Sequence, residues 1–439
     1  MPVFLACSGG KGEKADQMDA LIINGPAKLS GKVRISGSKN TALPLFFSSL
    51  LFDEPVHYEN VPRLWDVETT LSLLHSMGTE SSWDKETGKV TVHPLVKKRV
   101  APYEWVKKMR AGILALGPLV AKYGEAKVSL PGGCAIGARP VNFHIDALRK
   151  LGAQVEVKEG YIHASVPSRL KGAPISFPEV TVTGTENLLI VATQAEGETI
   201  LQNSAREPEV VALGNLLQSL GARIEGLGTP TIRIWGSKLN APARPISIPP
   251  DRIEAGTWIA IAMATQSELE LENCPVGEME SVLEVFRRIG AQFEMSPKRD
   301  LMTIYPRPPY KAVDIDTQPY PGFATDMQAQ AMAVLCLAQG KSRMRETIFE
   351  NRFMHVAELR RLGAQIEIDG NSAIIAGPVM LQGAPIMATD LRASASLMVA
   401  ALAAKGQTRI SRIYHLDRGY QRLDEKLRRL GADITRVTE

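Results

Sequence analysis

Six times along this chain, a helical run of apolar residues ends in a hydrophobic side chain followed by Gly-Ala or a near match. The glycines are Gly78, Gly152, Gly221, Gly290, Gly363 and Gly431, 68–74 residues apart; five precede Ala and the first precedes Thr79. Such a repeat restricts the fold strongly, because every copy must bury the same faces in the same way. Before the third glycine, Val210, Leu213, Leu217 and Leu220 follow the spacing of one helix face. The glycine fits the residue just past a helix end, where positive φ is required. An alternating strand comes next, as in Gln154-Val-Glu-Val and Gln365-Ile-Glu-Ile.

Each unit also holds a helix of another kind. The stretches 187–195, 257–265, 327–337 and 394–404 are rich in Ala, Leu, Met and Val, with few charges. A helix that is apolar nearly all round is predicted to be buried. Solenoid repeats usually span about 20–50 residues, shorter than these units. The pattern therefore predicts α/β globules, buried helices inside and strands around them, with three units in each of two domains of about 200 residues. A boundary is expected in Ile246-Ser-Ile-Pro-Pro-Asp251.

Composition excludes several classes. At 44% hydrophobic and 22% charged, 439 residues have the proportions of packed domains rather than disorder. The net charge of +4 is spread along the chain, with no basic block interleaved with aromatics, so no nucleic-acid partner is expected. No apolar run is long enough to span a membrane, and no membrane partner is expected. The four cysteines, at 7, 134, 274 and 336, match no metal spacing and suit a reducing cytoplasm. The opening Met-Pro-Val-Phe-Leu-Ala-Cys7 resembles a lipoprotein signal, but it lacks a basic start and its apolar core is too short. Residues 1–18 read as a disordered extension, with Met18 as an alternative start.

Charges stand at the starts of the buried helices: Gly37-Ser-Lys39-Asn40, Lys108-Met-Arg110, Thr183-Gly-Thr-Glu186, Asp251-Arg252, Ala324-Thr-Asp326 and Asp390-Leu-Arg392. Acids there complement the helix dipole or cap the end. Lys39, Arg110 and Arg392 oppose the dipole, and an anion held between such a cation and the free N–H groups would reverse that penalty. Repeated breaks of a local rule point to function, here a phosphate-bearing substrate. Plainer readings stand beside this one. Lys39 equally fits a solvated loop. Asp326 reads first as a helix cap. Arg352 fits a pair with Glu350 or Glu358, and Arg418 fits a turn. A further stretch, Leu130-Pro-Gly-Gly-Cys134-Ala-Ile-Gly-Ala-Arg139-Pro140, sets an uncrowded thiol five residues from a guanidinium. It reads as a mobile, reactive loop, with an inert buried thiol as the plain alternative.

These strings resemble those of the UDP-N-acetylglucosamine 1-carboxyvinyltransferase family of enolpyruvyl transferases. The resemblance covers about residues 19–439. It rests on Gly37-Ser-Lys-Asn40, the Pro131–Pro140 string, Ala205-Arg-Glu-Pro-Glu209, Ala324-Thr-Asp-Met-Gln-Ala-Gln330, Glu350-Asn-Arg-Phe-Met-His355, Asp390-Leu-Arg-Ala-Ser-Ala-Ser396 and Asp417-Arg-Gly-Tyr420. It implies two inside-out α/β barrel globules, each of three βαβαββ-type units. The first would be residues 39–249 and carry the Cys134 lid loop; the second would be 19–38 plus 250–439, with the active site in the cleft between them. The implied reaction moves the enolpyruvyl group of phosphoenolpyruvate to the 3′-hydroxyl of UDP-N-acetylglucosamine and releases phosphate, opening peptidoglycan synthesis. Neither a cofactor nor a metal is implied.

By the same resemblance, Cys134 matches the general acid and the site of covalent attack by fosfomycin. Asp326 matches the acceptor of the sugar hydroxyl proton, and with Cys134 and Lys39 it makes up the implied catalytic set. Lys39, Arg139, Arg352, Arg392 and Arg418 match the cations around phosphate and carboxylate, and Asn40 matches the partner of Lys39. Arg110, Arg139, Pro140, Val141, Asn142, Phe143, Thr181, Val182, Asp326 and Ile348 fall at nucleotide-sugar contacts. Many relatives carry Asp where this chain has Asn142, so no charge-dependent role is implied there. Glu179 stands where some members carry Lys, and no phosphate contact is implied for it. A 5-enolpyruvylshikimate-3-phosphate synthase would share the architecture but lack the reactive Cys loop. A catalytically silent UDP-sugar-binding paralogue would not need Lys39, Cys134, Asp326 and Arg418 all intact.

Overall fold

The computed structural model describes residues 19–132, 141–298 and 300–438. Cys134, Arg139 and Pro140 of the expected lid loop lie outside the described residues, as does the expected extension at 1–18. The described chain forms two compact units, residues 37–132 with 141–249 and residues 19–36 with 250–438.

Six four-stranded sheets share one plan: a parallel pair, then two antiparallel strands. Ile315–Asp316, Gly340–Arg345, Ser372–Gly377 and Gln365–Asp369 lie side by side in that order. Three departures tie the chain's ends and passages into the sheets. Asp19–Gly25 pairs with Gly406–Ser411 and Asp433–Thr438, filling the third place of the last sheet. Gly31–Arg34 pairs in parallel with Leu269–Glu272, and Ile246–Ser247 with Val56–Glu59. The strands alternate as half-buried strands should: in Thr231–Trp235, Ile232 and Ile234 are buried while Thr231 and Arg233 face out.

At the centre of each unit stand the apolar helices. The first unit has Lys39–Ser48, Leu116–Tyr123 and Val182–Ala192; the second has Arg252–Ala264, Gln328–Leu335 and Leu391–Ala403. The three helices of the second unit all touch one another, and in the first unit Val182–Ala192 touches both others. Twelve of the 13 residues of Arg252–Ala264 and all eight of Gln328–Leu335 are buried. Glu280–Ile289, by contrast, buries only the face carrying Val282, Leu283, Val285, Phe286 and Ile289. A close helix contact has a sequence signature at Gly117, where an added Cβ would meet Asn187 Oδ1 at 2.0 Å.

All six repeat glycines adopt positive φ, from 94° to 138°. Five stand one residue past the helix cap; Gly290 is itself the cap residue of Glu280–Ile289. Three buried helices begin earlier than their apolar composition suggests, at Val182, Arg252 and Leu391. Their first turns are polar, and the side chains of Thr181, Asp251 and Asp390 accept the N–H groups there.

Candidate active site

In the second unit, three of the expected site residues meet. Asp326 lies in the 3-10 turn Thr325–Met327, just before Gln328–Leu335. Its side chain caps neither element. This corrects the plainer expectation, and the reason is charge. Arg352 Nη2 donates to Asp326 Oδ1 at 2.7 Å, while Arg392 reaches Oδ2 through Nε at 3.0 Å and Nη2 at 2.9 Å. Arg352 therefore pairs with neither Glu350 nor Glu358 here. Glu358 instead accepts from Met387 N and lies beside Arg361. Buried charges are costly unless paired, and these pairs supply the compensation.

Several neighbours hold the cluster in place. Arg392 stands in the first turn of Leu391–Ala403, where Asp390 Oδ1 accepts its backbone N–H at 2.9 Å. Its Nη1 donates to the Tyr420 hydroxyl at 3.3 Å. Gln330 Nε2 donates to the same hydroxyl at 3.2 Å, and Thr257 Oγ1 lies 2.9 Å from it. Burial works against the charge on Arg392, but Asp326, Tyr420 and Asp251 outweigh it and raise the pKa above the ordinary value. Burial raises the Tyr420 hydroxyl. On the other side, Glu346 is a buried hub: its Oε2 accepts from Thr325 Oγ1 at 2.9 Å, and its Oε1 accepts from Thr317 Oγ1, Ile348 N and Phe349 N. One carboxylate thus ties the Asp326 turn to the loop carrying Ile348. Arg418 follows the short helix Tyr414–Asp417, and its charge, after burial and Arg412, helps push His415 down to about 4.

The first unit collects a separate group. Lys39 is the first residue of its helix, after the Ser38 cap, and Nζ lies 3.1 Å from Asp66 Oδ2. The side chains are 12% and 5% exposed, so Lys39 is not a solvated loop residue. Asp66 supplies negative charge at a helix start where Lys39 opposes the dipole. Asn40 beside it is half-buried. Arg110 opens the 3-10 turn Arg110–Ala115 and stands near enough to depress His144. Val141, Asn142 and Phe143 form the start of Asn142–Lys150, whose buried His144 accepts from Asn187 Nδ2 at 2.9 Å. Thr181 caps the helix that Val182 begins, with Gly184 N donating to its hydroxyl at 3.2 Å.

Several of these roles have no local sequence signal. Asp66 looks like any acid in the first turn of an amphipathic helix, and Glu346 like any strand-end acid. Gln330 and Tyr420 lie in the motif strings, but only the fold sets them on Arg392. Glu186 reads as an ordinary helix-start acid, yet it is only 2% exposed. Burial, then Glu209 and Glu207, push its carboxyl well above the ordinary 4.5. Its contribution to stability is therefore fully present below 4.5 and is lost as pH rises through its folded pKa. Glu186→Gln should be more stable than the wild type at about pH 8 and lose that advantage at about pH 4. Urea unfolding midpoints at the two pH values check this. His144 runs the other way: burial, then Arg110, push it down to about 3. Its contribution is present above 6.5 and is lost as pH falls through about 3.

Among the described residues, no group of three or more His, Cys, Asp and Glu could hold a metal ion, and no helix is long and apolar enough to cross a membrane. What the second unit offers is a carboxylate held between two buried guanidiniums, the residue types that proton transfer and anion binding use.

Known proteins carry the same architecture. The crystal structure of the enolpyruvyl transferase NikO from Streptomyces tendae superposes with a TM-score of 0.86 at 26% identity, covering 96% of this chain and 100% of that one. An EPSP synthase from Acinetobacter baumannii, at 20% identity and TM-score 0.72 with the same coverage, shares the fold. Proteins named UDP-N-acetylglucosamine 1-carboxyvinyltransferase are closer in sequence. That of Nitratidesulfovibrio vulgaris strain Hildenborough is 52% identical over 423 residues, and that of Idiomarina loihiensis 51% over 423, each covering 96% of this chain and 100% of the relative. The family model described as EPSP synthase (3-phosphoshikimate 1-carboxyvinyltransferase) matches residues 23–427. With six repeated sheets, central helices and nearly the whole length in register with these relatives, the chain belongs to the EPSP synthase family of enolpyruvyl transferases.

Proposed function

We propose that this protein transfers the enolpyruvyl group of phosphoenolpyruvate to the 3′-hydroxyl of UDP-N-acetylglucosamine, releasing phosphate. This would be the first committed step of peptidoglycan synthesis, carried out in the cytoplasm. The observation that carries the reading is Asp326 between Arg352 and Arg392, in a chain 52% identical to a relative bearing that enzyme's name. The reaction needs such a set. The sugar oxygen bonds to C2 of the enol while C3 gains a proton, and the hydroxyl proton must go to a base. Loss of a C3 proton then restores the double bond as the C2–O bond to phosphate breaks. Asp326 takes the hydroxyl proton, and Cys134 supplies the proton to C3. Lys39, Asn40, Arg139, Arg352, Arg392 and Arg418 hold the phosphate and carboxylate. Arg110, Arg139, Pro140, Val141, Asn142, Phe143, Thr181, Val182, Asp326 and Ile348 hold the nucleotide sugar.

Purified protein should release phosphate only when both substrates are present. Release with shikimate-3-phosphate in place of the nucleotide sugar would overturn the assignment. The epoxide fosfomycin should alkylate Cys134, seen as a mass adduct on its peptide. Cys134→Asp should still turn over but escape the drug, because a carboxyl can donate a proton without being a soft nucleophile. A folded but inactive Asp variant would refute a purely acidic role for Cys134.

A further inference from the structure

We infer that Asp326 occupies the anion-binding edge of Arg352 and Arg392, so that an anionic substrate must take these guanidiniums from it, and that this exchange releases the carboxylate to act as a base. The inference rests on the function proposed above and adds a coupling between anion binding and base activation at the same site.

Exposure gives the first argument. The two guanidinium side chains are each 4% exposed, and the Asp326 side chain is 27% exposed. The carboxylate is thus the solvent-facing member, and the cations lie behind it. Fork geometry gives the second. Nε and Nη2 of Arg392 form the edge that best binds two oxygens in parallel. Here both converge on the single oxygen Oδ2, while Oδ1 goes to Arg352. The fork is engaged without its two-oxygen match, which a carboxylate or phosphate can supply. Arg392 is also anchored. Arg392 Nη1 is held by the Tyr420 hydroxyl, itself set by Gln330 and Thr257. The guanidinium can therefore keep its place while the partner on its other edge changes.

The chemistry follows from charge. A carboxylate held by two cations is a poor proton acceptor, and one relieved of them beside a bound anion is a better one. The proton leaving the sugar hydroxyl would go to an Asp326 oxygen freed in this way. By linkage, whatever Asp326 contributes to holding the arginines is subtracted from the affinity for the anion.

Titration calorimetry on the full-length protein, with phosphoenolpyruvate and separately with inorganic phosphate, tests the idea. Asp326→Asn should bind phosphoenolpyruvate at least about tenfold tighter than the wild type, because the competing charge is gone. Asp326→Glu, which keeps that charge, should bind no tighter than the wild type. Equal or weaker binding by the Asn variant overturns the inference. So does tighter binding by the Glu variant, which remains a test if the Asn variant does not fold. If the wild type binds phosphoenolpyruvate but releases no phosphate with UDP-N-acetylglucosamine, the functional reading fails, and the exchange still stands or falls on the affinity ratio.

Discussion

Arg392→Ala should cost about 1.5–3 kcal/mol of stability, because it removes charged hydrogen bonds while Arg352 still holds the Asp326 carboxylate. Turnover should fall by about 10²–10³-fold, the usual effect of deleting one preorganised donor. Three contacts disappear together: the Nε hydrogen bond and the Nη2 ion-pair contact to Asp326 Oδ2, and the Nη1 hydrogen bond to the Tyr420 hydroxyl. Asp326 would keep Arg352, so the turn should survive with its carboxylate less constrained. Arg392→Lys restores the charge but not the planar fork, and should recover more stability than turnover. Urea unfolding and phosphate-release assays on the same preparations separate the two effects. An alanine variant as stable and as active as the wild type would remove the cluster from the mechanism.

Trp258→Ala should lose about 3–5 kcal/mol, the cost of deleting a large buried aromatic side chain. Trp258 is fully buried in Arg252–Ala264, a helix that has no solvent face to relax toward. Its indole Nε1 also donates to Glu254 Oε1 at 3.3 Å. Glu254 keeps the Ser36 backbone N–H at 3.0 Å and Lys426 Nζ at 2.5 Å, so the loss should come mainly from the cavity. Trp258→Phe should therefore cost clearly less, and comparing the two unfolding midpoints checks this. Equal costs would mean that the indole hydrogen bond, rather than the volume, matters.

Much of the architecture is legible in the sequence. The Gly-Ala repeat marked six helix ends, and all six glycines adopt the positive φ that the pattern demands. The all-round apolar stretches marked central helices, because a helix without a polar face has nowhere else to go. Helix starts were harder to read: the apolar signal begins a turn late wherever the first turn is polar and capped, as at Thr181, Asp251 and Asp390.

The candidate site was legible in a different way. Lys39 and Arg392 stood out because each opposes a helix dipole, and both are held by a carboxylate, Asp66 or Asp326. The partners themselves were not readable. Asp66 is 27 positions from Lys39, Asp326 is 66 from Arg392, and Tyr420 is 28 beyond Arg392.

The properties readable from residue order are local: the period of the repeat, the face each helix buries, the residues that end and begin helices, and the presence of cations where a dipole disfavours them. Those properties depend on neighbours within a few positions, so spacing and residue type suffice to state them. Pairing was set by the fold. Asp326 became an ion-pair partner instead of a helix cap, and Arg352 turned to it instead of Glu350 or Glu358. Glu186 became a buried acid whose carboxyl is pushed up by burial and by Glu209 and Glu207. Each outcome turns on which charges share a poorly solvated interior, where Coulomb attraction and desolvation outweigh local preference.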